Sequence, residues 1–109
     1  HLNRMRKLYR KKLEKLTRAL DDYQPTVLIS GEQAGMHIVL TVDREFTDHD
    51  LVEMAKRYDI RVYALSDYHQ TAKTIYSKPQ ILLGFGGFLE EEIESAVEAL
   101  MNAWNIKKP

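Results

Sequence analysis

The residues at 81–93, ILLGFGGFLEEEI, lead from an apolar strand through a glycine turn directly into an acidic helix start. Gly86 and Gly87 allow close backbone approach, and glycines ahead of a helix can hold a phosphate group. The three glutamates at 90–92, however, place negative charge at the positive end of the helix dipole and would repel an anion. We therefore exclude a nucleotide site here and interpret the segment as a packed turn.

Three other groups of polar residues could carry chemistry. The run Thr-Asp-His-Asp at 47–50 is consecutive rather than on one helical face, so helix capping explains it better than metal binding. Ser66, Asp67 and His69 are close in sequence, but no oxyanion-hole motif accompanies them. His37 lies between apolar neighbours, as a hydrogen-bonded strand histidine does. We predict no catalytic site from these residues.

Length and composition suit one small globular domain covering 1–109. The chain has 109 residues, of which 44% are hydrophobic, and no cysteine, which excludes disulfide and thiolate chemistry. No apolar run approaches the roughly 20 residues that cross a bilayer, and no signal-peptide pattern is present. We expect a soluble, cytoplasmic protein without a membrane partner. Since it has no initiator Met and its first helix has no capping residue, we also expect it to be a fragment of a longer protein.

Charge is unevenly distributed along the chain. Residues 1–20 hold eight Lys or Arg against one Glu, whereas the remainder holds eight basic and fifteen acidic residues. A concentration of basic charge can indicate contact with nucleic acid or a membrane. It can equally be a solvated helix face that lies near an acidic neighbour, and the sequence leaves both interpretations open.

Hydrophobic periodicity predicts three helices. Apolar residues recur at three- and four-residue steps over 2–22, and Pro25 bars continuation. A second helix over about 48–58 follows Thr47 as its cap. A third covers about 90–105. Its apolar stripe consists of Ile93, Val97, Leu100, Met101 and Trp104.

Four strands are predicted between these helices. Residues 27–30 and 36–42 read as an antiparallel hairpin, 60–65 as a third strand, and 80–85 as a buried fourth strand. The connection at 66–79 has no clear periodicity. The expected fold is α/β, an α+β two-layer sandwich with a largely antiparallel four-stranded sheet and three helices.

Four segments together resemble a known family. They are ILLGFGGFLEEEI at 81–93, GEQAGMHIVLTV at 31–42, HLNRMRKLYR at 1–10 and RVYALS at 61–66. Their order and spacing are similar to the C-terminal small domain of fold type I, class I/II aminotransferases that use pyridoxal 5'-phosphate (PLP). The greatest similarity is to the aminotransferase-like effector domain of MocR-type regulators of the GntR family. The same small-domain plan agrees with the fold expected from the pattern.

The resemblance implies that PLP is bound elsewhere in the parent protein. PLP chemistry needs a lysine for a Schiff base, a phosphate cradle and a partner for the pyridine nitrogen. The family places these in the large domain. No matching motif surrounds Lys56, Lys73, Lys78 or Lys107 of this chain. We therefore expect no cofactor in the fragment and no catalysis by it alone.

The resemblance also assigns the candidate effector-binding residues. In the family, a strand arginine pairs with the substrate carboxylate. Its Arg-Leu-Ser-Phe pattern falls on 82–85, so that Leu82 stands where the arginine would. Arg61, on the third strand in opposite phase to its apolar neighbours, is the candidate substitute. Tyr68, with Tyr63 and His69, flanks the long connection near the expected cofactor cleft, where it could contact the effector or pack on the large domain.

Three functions remain open at this point. The leading interpretation is the small domain of a PLP-binding transcription regulator that senses a small amino compound. Its partners would be the large domain of the same chain, a second copy in a homodimer, and DNA through a separate N-terminal domain. The second is the small domain of a genuine class I/II aminotransferase. The third is a nucleic-acid-binding module that uses the basic first helix.

Overall fold

The computed structural model describes residues 2–33, 36–68 and 78–108. Its helices are α1 (Leu2–Asp21), α2 (Asp48–Lys56) and α3 (Ile93–Ala103), and its strands are β1 (Val27–Gln33), β2 (His37–Val42), β3 (Tyr63–Ala64) and β4 (Gln80–Gly84). Two short 3₁₀ turns, Leu65–Asp67 and Glu90–Glu92, follow β3 and precede α3. The expected order of helix, two strands, helix, two strands, helix is confirmed.

The four strands form one antiparallel sheet in the order β1-β2-β4-β3. β1 and β2 form the predicted hairpin, and β2 then pairs with β4 across the middle of the sheet. Leu40 is opposite Ile81, and both are fully buried. Because side chains alternate between the two faces of a strand, the intervening pair Val39 and Leu82 lies on the other face.

All three helices pack against the same face of the sheet. Their apolar stripes and the inward side chains of β2 and β4 form a single buried cluster. Trp104, just after α3, is fully buried and donates its Nε1–H to the Leu51 carbonyl oxygen at 2.9 Å, which joins the end of α3 to α2. We call the uncovered side the open face of the sheet. The α+β two-layer fold is thus as predicted.

α1 is buried along only part of its length. Leu16 and Leu20 are 2% exposed, whereas Met5 and Leu8 near its start are 55% and 44% exposed. Tyr9, between them, donates its hydroxyl to Glu32 Oε1 at 2.7 Å, and this hydrogen bond is the main reason that the pKa of Tyr9 is raised. Within the described residues, no helix is long and apolar enough to cross a membrane.

The ends of α2 and α3 follow from local sequence. Thr47 accepts from the Asp50 amide while the Asp50 carboxylate accepts from the Thr47 amide, which is the predicted capping box. After each helix, a residue with positive φ closes the last turn: Asp59 at 62° and Asn105 at 58°. The amide of the following residue then donates to a carbonyl oxygen in the last turn of the helix, as in a Schellman motif: Ile60 to Ala55 after α2, and Ile106 to Met101 after α3.

Several predicted boundaries were wrong: the first strand, expected over 27–30, extends to Gln33, and two others have a clear physical cause. The third strand was expected over 60–65 but spans only Tyr63–Ala64, since Ile60 is held by the α2 terminus and the chain turns into a 3₁₀ turn at Leu65. The last helix was expected from about 90, but 90–92 form a separate 3₁₀ turn in which the Glu92 carboxylate accepts from the Leu89 amide at 2.8 Å. This bond tightens the turn before α3 begins.

Replacing Trp104 with Phe tests the joint between α3 and α2. The substitution keeps an aromatic ring but removes the Nε1–H donor and leaves space, so we expect the free energy of unfolding to fall by about 1 to 3 kcal/mol. Unfolding in urea is monitored by circular dichroism rather than by fluorescence, because the variant has lost the single tryptophan of the chain. Tyr58→Phe, at a 53% exposed ring, is the control. Equal stability of Trp104→Phe and wild type would contradict the expectation.

Candidate functional site

Leu82 lies at the centre of the open face. It is on β4, half-buried, directly opposite Val39 of β2 on one side and Tyr63 of β3 on the other. The side chains opposite it are thus apolar and aromatic. Leucine cannot pair with an anion, so this position provides no cation for a carboxylate.

Tyr68 contacts Tyr63, which is paired with Leu82 across the sheet. The rings of Tyr63 and Tyr68 meet edge to face, with centroids 6.3 Å apart and planes at 86°. Tyr68 is 59% exposed and Tyr63 37%. Two of the three candidate residues, Leu82 and Tyr68, are therefore brought together through the ring between them.

The 3₁₀ turn that carries Tyr68 is held by the first turn of α2. The Asp48 carboxylate accepts from the Ser66 amide at 3.2 Å, and the His49 ring nitrogens lie 2.8 Å from Asp67 Oδ1 and 3.3 Å from Asp48 Oδ1. We call Asp48, His49, Ser66 and Asp67 the α2 latch. Because the α2 latch contacts two consecutive residues of the turn, Ser66 and Asp67, it holds the backbone immediately before Tyr68.

Sequence reasoning missed the α2 latch. It assigned 47–50 to capping, which is correct for Thr47 and Asp50, and assigned no role to Ser66 and Asp67. His69, considered with them, lies outside the described residues, as does Lys73. Among the described residues no group of three His, Asp or Glu side chains is placed to hold a metal ion.

Arg61 is placed differently from the expectation. It lies in the extended segment ahead of β3 rather than within a strand, and its side chain is exposed. It lines a surface groove of about 280 Å³ together with Val52 and Lys56 of α2. Arg61 is two residues from Tyr63 along the chain, and the groove that it lines is bounded by α2, which packs on the covered face of the sheet.

The glycine turn after β4 is held by a cation that sequence reasoning did not find. Lys12 of α1 is 7% exposed, and its Nζ donates to the Gly86 carbonyl oxygen at 3.0 Å. On the other face of the sheet, the His37 ring covers Gly84, where an added Cβ would lie 3.0 Å from His37 Nε2. A side chain at Gly84 would therefore displace His37.

Comparison with known proteins connects this fold to a class of regulators. No family model matches the chain. It is 38% identical over 113 residues to the uncharacterized HTH-type transcriptional regulator YdeL of Bacillus subtilis, and 34% identical over 107 residues to the uncharacterized HTH-type regulator YhdI of the same organism. The chain is homologous to a segment of HTH-type transcriptional regulators. These alignments include 97% and 95% of the chain but only 22% of each relative, so it spans about a fifth of their length.

A solved structure confirms the fold of the chain. The crystal structure of LysN, an α-aminoadipate aminotransferase from Thermus thermophilus complexed with N-(5'-phosphopyridoxyl)-L-leucine, matches it with a TM-score of 0.78 at 20% identity. The match covers 95% of the chain and 26% of LysN. The chain therefore has the fold of the small domain of a fold type I PLP enzyme.

The described residues around the glycine turn do not fit PLP by themselves. The buried ammonium of Lys12 is bonded to Gly86, and the amide of Leu89 before α3 is already bonded to Glu92. The glycine turn is thus occupied by groups of the chain itself, and glutamates rather than cations surround the start of α3. We derive no chemical step through PLP from these residues.

The electrostatics of the α2 latch depend on pH. Burial acts to raise the pKa of Asp48, but hydrogen bonds from the Ser66 hydroxyl and amide, the charge of His49 and the His49 amide together outweigh it, so the pKa is lowered. A lowered pKa in the folded state means that the ionised carboxylate stabilises the fold. This stabilisation is present above the unfolded pKa of aspartate and is lost as pH falls through the lower folded value.

Asp48→Asn tests this linkage. The amide cannot reproduce the charge-assisted bonds to Ser66, so we expect the variant to be less stable than wild type by about 0.5 to 1.5 kcal/mol at neutral pH. The difference should shrink in acid, where wild-type Asp48 is also protonated. Urea unfolding at neutral pH and below about pH 3 measures both. Glu53→Gln, an exposed carboxylate on α2, is the control. A difference that is equal at both pH values would contradict the assignment.

Proposed function

We propose that this chain is the C-terminal small domain of a PLP-binding, ligand-sensing transcription regulator of the MocR type in the GntR family. The observation that supports this is the combination of relatives named as HTH-type regulators with the fold of an aminotransferase small domain. In the parent, the large domain of the same chain binds PLP, a separate N-terminal domain binds DNA, and the whole acts in the cytoplasm as a homodimer. The single domain described above is one part of that protein.

In this proposal the open face is the side that closes on the large domain. It carries Leu82 at its centre, with Tyr63 and Tyr68 beside it, and the α2 latch holds the turn that leads to Tyr68. Closure couples a ligand to a global state when the open and closed arrangements bind that ligand unequally. A small amino compound that favours the closed state would thereby shift the attached DNA-binding domain.

The apolar character at Leu82 favours sensing over ordinary transamination. An amino acid carboxylate held at this position needs a cation, and an arginine would supply two parallel hydrogen bonds. Leu82 supplies none, which supports a pocket shaped for a different effector or one that takes its cation from elsewhere. Arg61, at the neighbouring sheet edge, is the residue we propose for that role.

A genuine class I/II aminotransferase is the second candidate. The likeness of the fold to LysN, which is named as an aminotransferase, supports it. The two candidates differ in their product: an aminotransferase releases a keto acid at every turnover, whereas a sensor changes its DNA affinity without accumulating one. The third candidate, a free-standing nucleic-acid-binding module, is not favoured because the groove-reading motifs of such modules are absent from the sequence.

The intact parent tests the main proposal directly. We expect the purified protein to show the visible absorption band of bound PLP, and one member of a panel of amino compounds to change both this band and the affinity for its own promoter DNA. Keto acid is assayed in the same samples. A parent without a PLP band would refute the proposal, and steady keto acid production with unchanged DNA affinity would favour the aminotransferase.

Arg61→Ala in the intact parent tests the proposed carboxylate partner. If Arg61 binds the effector, the concentration of amino compound that gives the half-maximal change of the PLP band should rise about tenfold or more, since a charged hydrogen bond contributes about 1.5 to 3 kcal/mol. Arg57→Ala is the matched control, because Arg57 is an exposed arginine at the end of α2. An unchanged response in Arg61→Ala would remove Arg61 from the pocket.

A further inference from the structure

A row of cations runs along the solvent side of α1. Its members are Arg4, Lys7, Lys11, Lys15 and Arg18, all exposed. They recur at steps of three and four residues, so they lie above one another on a single helical face. At a rise of 1.5 Å per residue, the row is about 21 Å long. We call it the α1 cation row.

Glu14 is the single acidic residue within the span of the α1 cation row, residues 4–18, so the row keeps a net positive charge. Among the residues that the structure describes, the ion pairs involve Lys56, Lys78, Lys108 and His49, and none joins a member of the row. Within the row, Lys11 is four residues from both Lys7 and Lys15, a spacing at which like charges repel. An anionic partner that spans several members would relieve this repulsion.

The row also faces away from the proposed ligand cleft. α1 buries Leu16 and Leu20 against the covered face of the sheet, and the row occupies the opposite side of the helix. The open face, with Leu82, is on the other side of the sheet. A large domain seated on the open face would therefore leave the row accessible.

We propose that the α1 cation row binds the phosphate backbone of duplex DNA in the intact regulator. This inference rests on the proposed function, in which a separate domain binds DNA and brings the duplex to the protein. Backbone phosphates form a long line of negative charge, and lysines and arginines that contact them need no base-reading motif. The row therefore adds a sequence-independent contact, which agrees with the absence of a groove-reading motif in the sequence.

The test compares two triple variants of the intact parent. Lys7→Gln, Lys11→Gln and Lys15→Gln together remove three charges from the row, whereas Lys56→Gln, Lys107→Gln and Lys108→Gln remove three exposed lysines elsewhere. Binding to a short duplex of arbitrary sequence is measured at several salt concentrations. Each phosphate that is no longer neutralised should reduce the slope of log affinity against log salt by about 0.9. The slope of the row variant should therefore fall by roughly 2 to 3, while the control keeps the wild-type slope.

Several outcomes would overturn the proposal. A row variant with the wild-type slope and affinity would show that the row does not contact DNA, and would leave an acidic protein surface as its partner. An equal loss in both variants would show a general effect of net charge. The PLP band of each variant is recorded alongside, so that an unchanged band with an unchanged slope refutes this inference alone, whereas a parent lacking the band refutes the proposed function.

Discussion

The pairing of β2 with β4 is the constraint on which the rest of the molecule depends. It places Leu40 against Ile81 under the helices, and by the alternation of side chains it places Val39 against Leu82 on the open face. A slip by one residue would exchange the two faces and expose the core. The position of Leu82, and with it the character of the open face, is therefore fixed by the same hydrophobic burial that stabilises the fold.

Tertiary contacts replace strand pairing at the edge of the sheet. β3 contributes only two residues to the ladder, so backbone hydrogen bonds to β4 do not extend into the following turn. The first turn of α2 holds that turn through the α2 latch, in which Asp48 and His49 contact residues 18 positions later in sequence. The aromatic pair of Tyr63 and Tyr68 thus depends on both a strand and a helix terminus.

The two sides of the sandwich have different character. The open face carries the apolar centre at Leu82, whereas the helical side presents the α1 cation row to solvent. A small domain built in this way can meet one partner on each side without competition between them. This division underlies both proposals, since the sensor function uses the open face and the DNA contact uses the other.

The sequence by itself determined the features that depend on neighbouring residues. The order of elements, the antiparallel hairpin, the stripe of α3 and the Thr47 capping box all arise from spacings of two to four residues, and periodicity reports these directly. Leu82 was placed through its resemblance to a family motif, and the regulator relatives and the fold agree with that family. Only the tertiary structure decided that Lys12 holds the glycine turn and that the α2 latch holds the turn before Tyr68. It also decided that Arg61 lies outside β3, because contacts between residues far apart in sequence depend on how the helices pack on the sheet, and no local pattern records that packing.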